Sequence, residues 1–206
     1  WAYKHILGFD DDIFKMSTMA IDINDTRGLH VAELTEKALE SMGRQVAGAA
    51  VLLCGASYRQ DVADTRYSGS EIVIRKLTEM GAEMRVHDPY LESWPELQQQ
   101  DTYPAPGHSW ARFFRHQDGL VNIRIRSDLA ESLAGAKAVI LAVPHEPYLE
   151  LAPEKIVEWA GGPLAVIDCF GILDDQRIRR YIELGCEVKG LGRGHIQRIK
   201  EEVKKV

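Results

Sequence analysis

The chain has 206 residues, 45% hydrophobic and 27% charged, enough to bury a core without disulfides or a structural metal. Its net charge of −6 argues against nucleic acid, which needs a basic footprint, although clustered arginines can still bind a small phosphate locally. Three scattered cysteines, Cys54, Cys169 and Cys186, fit reduced thiols in a cytoplasmic protein, and no run approaches the ~18 apolar residues of a membrane span.

The chain opens on Trp1-Ala2-Tyr3, with neither an initiator Met nor a signal peptide, as expected of a segment cut from a longer polypeptide. Residues 11–43 carry Ile13, Phe14, Met19, Ile23, Val31, Leu34, Ala38 and Met42 at helical spacing, with Gly43 as a stop and Gly28 as a point where the helix could bend. Some 30 helical residues would span roughly 45 Å, more than a small domain covers, so this helix is expected to meet another domain or subunit. Residues 1–47 are accordingly read as a helical region and 48–206 as a second domain.

From residue 49 strands and helices alternate. Residues 49–55 read as a buried parallel strand, and Ser68 and Glu71 have capping-box spacing ahead of a helix through Met80. A strand over 83–88 ends at Pro89. Residues 91–119, rich in Pro, Gln, His and aromatics such as Trp94, Trp110 and Phe113, read as a long loop that packs on something. A short strand over 121–125, a brief helix over 128–133, a strand over 138–143, a helix over 153–160 and a strand over 164–168 follow. Asp174 is set to cap a helix to Leu184, and 187–191 is a last strand. The charged tail after Gln197 reads as a solvated or frayed helix. The fold class is α/β: a long helix, then a Rossmann-like doubly wound parallel sheet.

In such sheets ligands sit at the carboxyl ends of the strands. The segment there is Gly55-Ala56-Ser57-Tyr58-Arg59-Gln60-Asp61-Val62-Ala63-Asp64-Thr65-Arg66, between strand and helix. It lacks GxGxxG, so a close pyrophosphate cradle for NAD is not supported. Instead it carries two arginines, whose guanidinium groups bind phosphates bidentately. The plainer alternative is a solvated loop whose Arg and Asp side chains pair with each other. The seven histidines lack ligand spacing, so no metal site is expected and surface or loop positions are.

Tyr58-Arg59, Asp64-Thr65-Arg66-Tyr67-Ser68 and Asp88-Pro89 together resemble the UDP-glucose/GDP-mannose dehydrogenase family. Ile23-Asn24-Asp25, His145 after its strand, Ile167-Asp168 with Ile172-Leu173-Asp174, and Gly190-Leu191-Gly192-Arg193-Gly194 extend the resemblance over nearly the whole chain. The family oxidises the 6-hydroxyl of a UDP- or GDP-sugar to a carboxylate with two NAD, through a cysteine in a Gly-x-Cys segment before the central helix. This chain starts downstream of that segment, so the resemblance implies the substrate-binding C-terminal part without the N-terminal NAD domain. It contains no catalytic residue and is not expected to turn over alone. The resemblance implies that Tyr58 and Arg59 contact the substrate, that Arg66 reaches NAD held mainly by the other domain, and that the central helix builds a homodimer. Two departures stand out. Arg59 replaces a Lys, and Cys169-Phe170 replaces Gly-Arg, leaving Phe170 to stack on a base where an Arg would bind phosphate. Arg112 or Arg115 could compensate. Two alternatives stay open: a non-catalytic dimeric nucleotide-binding or regulatory module, and a plain NAD-binding domain in which Asp88 binds a ribose.

Overall fold

The computed structural model describes residues 15–100 and 116–205. The expected helix start at 11–14 and the stretch 101–115, with Arg112 and Arg115, lie outside the described residues. The long helix is two: α1 (Lys15–Asp25) and α2 (Arg27–Ser41). The interruption falls at Thr26, not Gly28. Thr26 donates its N–H and its hydroxyl to the Asp22 carbonyl, at 3.0 and 2.8 Å. A hydroxyl competing for a helix carbonyl is a known source of such irregularity. Gly28 serves a different purpose. A Cβ there would lie 2.9 Å from the Ile72 side chain and 3.1 Å from the Gly69 carbonyl oxygen, so its absence permits close helix packing.

Six strands follow: β1 (Ala50–Cys54), β2 (Glu83–His87), β3 (Ile125–Arg126), β4 (Ala138–Leu141), β5 (Ala165–Asp168) and β6 (Glu187–Gly190). All pair in parallel, in the order β3-β2-β1-β4-β5-β6. This is the doubly wound order, and its reversal point lies between β1 and β4. The remaining helices are α3 (Ser70–Glu79), α4 (Pro95–Gln98), α5 (Asp118–Val121), α6 (Leu129–Leu133), α7 (Glu146–Leu149), α8 (Pro153–Ala160), α9 (Asp175–Glu183) and α10 (Ile196–Val203).

Each face of the sheet is covered, which explains why β1 and β4 are continuously apolar and β5 is so up to Asp168. Val51 and Leu53 face a core built with Val31, Leu39, Ile74, Leu77 and Trp94. Leu52 and Cys54 face the opposite core, with Leu133, Tyr148, Ile156, Ile178 and Ile199. Helix α2 packs on α3 and on β4, β5 and β6, so it covers the half of its face that α3 leaves open.

Four local expectations need correction. The capping box does not form: Gly69 occupies the cap, the Ser70 N–H donates to Ser68 Oγ at 3.3 Å, and Glu71 turns inward to Arg75. The strand foreseen at 121–125 is mostly irregular: Val121 ends α5, 122–124 are a turn and a bare connection, and only Ile125–Arg126 lie in the sheet. The aromatic segment is not all loop: Pro95–Gln98 is helical, while Trp94 and Leu97 pack into the core as a packed segment should. The charged tail is a packed helix. Ile196, Ile199 and the stem of Lys200 are buried, and Lys200 pairs with Glu187.

Candidate functional site

A cavity of about 620 Å³ opens at the carboxyl ends of β1, β4 and β5, next to the reversal point. Asn24, Arg27, Gly28 and Val31 of α1 and α2 form one wall. Ser57, Tyr58 and Arg59 of the loop after β1, and Tyr67 through Ser70 at the start of α3, form another. Ala142, Val143, Cys169, Phe170 and Leu191 close the sheet side. Two features decide what such a cavity can take. Among the described residues it is lined by two arginines and no acidic residue, in a protein of net charge −6. It is also rimmed by aromatic side chains left open to solvent: Tyr58 at 58%, Tyr67 at 57% and Phe170 at 55%. Cations bind a phosphate, and exposed aromatic faces bind a planar base. The first turn of α3 adds the positive end of a ten-residue helix.

The loop that carries Tyr58 and Arg59 is held from beneath. Asp88, at the end of β2, is buried. Its Oδ2 accepts the Ala56 N–H (2.8 Å), the Ser57 N–H (3.1 Å), the Ser57 hydroxyl (2.9 Å) and His145 Nε2–H (3.2 Å). Its Oδ1 accepts the Tyr90 N–H at 2.9 Å. Burial alone would raise its pKa, but the hydrogen bonds from His145, Tyr90 and Ala56 outweigh burial and hold it at about 2. Both oxygens are committed to the protein, so Asp88 is no free acceptor for a ribose.

His145, also fully buried, accepts the Asp61 N–H at Nδ1 (2.9 Å), which assigns the neutral ring with its proton on Nε2. The Asp61 carboxylate accepts the Glu146 N–H and the Tyr90 hydroxyl, both at 3.0 Å. Asp61 has φ +55°, a conformation that costs a non-glycine residue energy, and these three bonds hold it there. His87 is likewise buried, with Nδ1 2.7 Å from the Tyr148 hydroxyl. The expected surface or loop position of the histidines therefore fails for His87, which is buried in β2, whereas His145 lies in the loop after β4 but is buried there and bonded to the loop after β1. Among the described residues no group of three or more His, Cys, Asp or Glu could hold a metal.

The family model for the UDP-glucose/GDP-mannose dehydrogenase family, UDP binding domain, matches residues 52–175. The chain belongs to the UDP-glucose/GDP-mannose dehydrogenase family. Curated relatives include UDP-glucose 6-dehydrogenases of Drosophila melanogaster, 23% identical over 84% of this chain and 34% of the relative, and of Gallus gallus, 25% identical over 84% and 33%. The chain thus spans about a third of the length of the relatives it matches. Among solved structures, NDP-N-acetyl-D-galactosaminuronic acid dehydrogenase from Methanosarcina mazei Go1 superposes with a TM-score of 0.69 at 25% identity. It covers 87% of this chain, which in turn covers 32% of it. The UDP-D-ManNAc dehydrogenase of Pyrococcus horikoshii shares the fold, with a TM-score of 0.62 at 20% identity over 84% of this chain and 32% of its own.

Of the family positions named from sequence, Tyr58, Arg59 and Phe170 come together at the cavity mouth, with Asn24 in the helical wall. Arg66 stands apart from the cavity lining. It points to solvent and forms a two-pronged pair with Asp64, Nε to Oδ1 at 2.9 Å and Nη2 to Oδ2 at 2.7 Å. That pairing holds the Asp64 carboxyl at about 2. The alternative of mutual Arg–Asp pairing thus describes Arg66 but not Arg59. The three cysteines are buried, with burial raising each thiol, that of Cys169 to about 12, so none is a ready nucleophile. Sequence reading passes over Arg27, because an arginine inside a helical run carries no local signal. Only the packing of α2 on α3 reveals where it points.

Proposed function

We propose that this chain supplies the nucleotide-binding part of an NAD-dependent nucleotide-sugar 6-dehydrogenase acting in the cytoplasm. The observation that carries the reading is the cavity, without an acidic residue among the described ones that line it, with Arg27 and Arg59 on its walls and Tyr58, Tyr67 and Phe170 at its rim. A UDP- or GDP-sugar offers the complementary chemistry: a flat base for an aromatic face and a diphosphate for guanidinium groups. Tyr58, Arg59 and Phe170 bind the nucleotide end. That binding energy holds the sugar carbon in place for hydride transfer to NAD, with the nucleophilic cysteine supplied by another part of the enzyme. Arg66, exposed beside Asp64, is the residue of this chain that reaches NAD. Residues 1–47 form the central helical region and 48–206 the nucleotide-sugar domain. Met16, Met19, Ile21 and Ile23 leave α1 with apolar side chains more than half exposed, which supports a homodimer built on this helix. No described helix is long and apolar enough to cross a membrane.

Phe170 favours a second reading, a non-catalytic binding module of the same fold, since a phenyl ring gives up a phosphate contact. Calorimetric titration of the chain with UDP, GDP and NAD tests the nucleotide site, and the Arg59→Ala variant tests its chemistry. Saturable UDP or GDP binding, weakened in the variant, is expected and identifies the base. Tight NAD binding with no response to UDP or GDP would refute the reading in favour of a plain dinucleotide domain.

A further inference from the structure

We propose that Arg27, in the first turn of α2, is a second phosphate-binding residue of this site beside Arg59, and that Gly28 positions it. The inference rests on the reading of the cavity as a nucleotide site and adds the central helix to the ligand's contacts.

The first support is charge. The protein is acidic, with 31 Asp and Glu against 25 Lys and Arg, and its arginines are mostly used up. Arg66 pairs with Asp64, Arg75 with Glu71, Arg180 with Glu154, and Arg44, Arg85 and Arg193 donate to backbone carbonyls. Among the described residues, no hydrogen bond or ion pair engages the Arg27 guanidinium, although it lines the cavity. Its first turn carries no acidic residue either. It shares the cavity lining with Cys169 and Phe170, which follow β5 and offer no positive charge.

The second support is the neighbouring glycine. Gly28 lets α2 approach the start of α3 until a Cβ would overlap Ile72 and crowd the Gly69 carbonyl. Gly69 itself lines the cavity, so this contact sets how far the adjacent Arg27 reaches across its mouth. The third support is stoichiometry. The diphosphate of a nucleotide sugar carries one negative charge on each phosphate, and the two guanidinium groups lining the cavity match them one to one. A ligand held this way ties α2 to the loop after β1.

The test is calorimetric titration of the chain and its Arg27→Gln and Arg27→Lys variants. The ligands are UDP and GDP, with uridine and guanosine as phosphate-free counterparts. Circular dichroism melting serves as the control for folding. Arg27→Gln is expected to weaken the diphosphate at least tenfold and the nucleoside less than twofold, with Arg27→Lys recovering part of the loss. Gly28→Ala, if folded, should show the same selective loss. Unchanged diphosphate affinity in Arg27→Gln would overturn the inference and leave the nucleotide reading intact. So would an equal loss for nucleoside and diphosphate, which would make Arg27 a structural residue. Failure of the unaltered chain to bind any of these ligands would overturn the nucleotide reading and this inference with it.

Discussion

Replacing Asp88 by Asn changes almost no volume and removes one charge from the centre of the loop's support. Five donors converge on that carboxylate: the N–H groups of Ala56, Ser57 and Tyr90, the Ser57 hydroxyl and His145 Nε2–H. Its pKa, held at about 2 against an ordinary 3.8, converts at ~1.4 kcal/mol per unit to about 2 kcal/mol of stability at neutral pH. An amide adds a further cost. Its NH2 group must face donors wherever it turns, either Tyr90 or the cluster on Oδ2, at about 1–3 kcal/mol. The expected loss at pH 7 is therefore about 3–5 kcal/mol, a large share of a normal folding free energy. The pH dependence supplies the signature. A depressed carboxyl contributes stability that is complete above 3.8 and is lost as pH falls toward 2. Other carboxylates titrate alike in both proteins, so the difference between them isolates Asp88. Urea unfolding of the unaltered chain and Asp88→Asn, from pH 7 down to pH 2.5, measures that difference. A loss below ~1 kcal/mol at pH 7, or a gap that does not narrow on acidification, would refute the argument that this carboxylate organises the loop.

Two further outcomes follow from the geometry. Gly55, at φ +100°, leaves room for Val143, whose Cβ would stand 2.5 Å from any added methyl, so Gly55→Ala should cost about 3 kcal/mol or more in urea unfolding. A loss within experimental error would mean that the β1–β4 junction yields easily. The buried thiols of Cys54, Cys169 and Cys186 should react slowly with a thiol-specific disulfide reagent in the native chain and rapidly in urea. A fast native reaction would contradict the burial that removes them from nucleophilic chemistry.

The parts of this protein legible from sequence share one property: their cause is local. Continuous apolar runs such as Ala50–Cys54 and Ala138–Leu141 are buried on both faces, and that burial calls for a parallel sheet. Asp174 caps α9 by accepting the Arg177 N–H at 2.8 Å, an interaction between residues three apart. Tyr58 and Arg59 lie in the loop after β1 and line the cavity at the strand ends, a placement that follows from their position in the chain. Other features were decided by contacts between distant segments. Glu71 matched a cap locally, yet packing against neighbouring segments buries it, where Arg75 one turn along the same helix pairs with it. Asp88 resembled a ribose ligand until His145 and the loop after β1 took up its oxygens. The tail looked solvated because its charges outnumber its apolar residues, and Ile196 and Ile199 show their common face only against the sheet. Arg27 gained its role from Gly28, whose missing side chain matters only because Ile72 lies opposite. The sequence by itself determined the layers and the strand ends, since periodicity and capping act over a few residues. The tertiary structure alone decided which charges stay buried and paired and which face the cavity, because partners separated by tens of residues meet only in the fold.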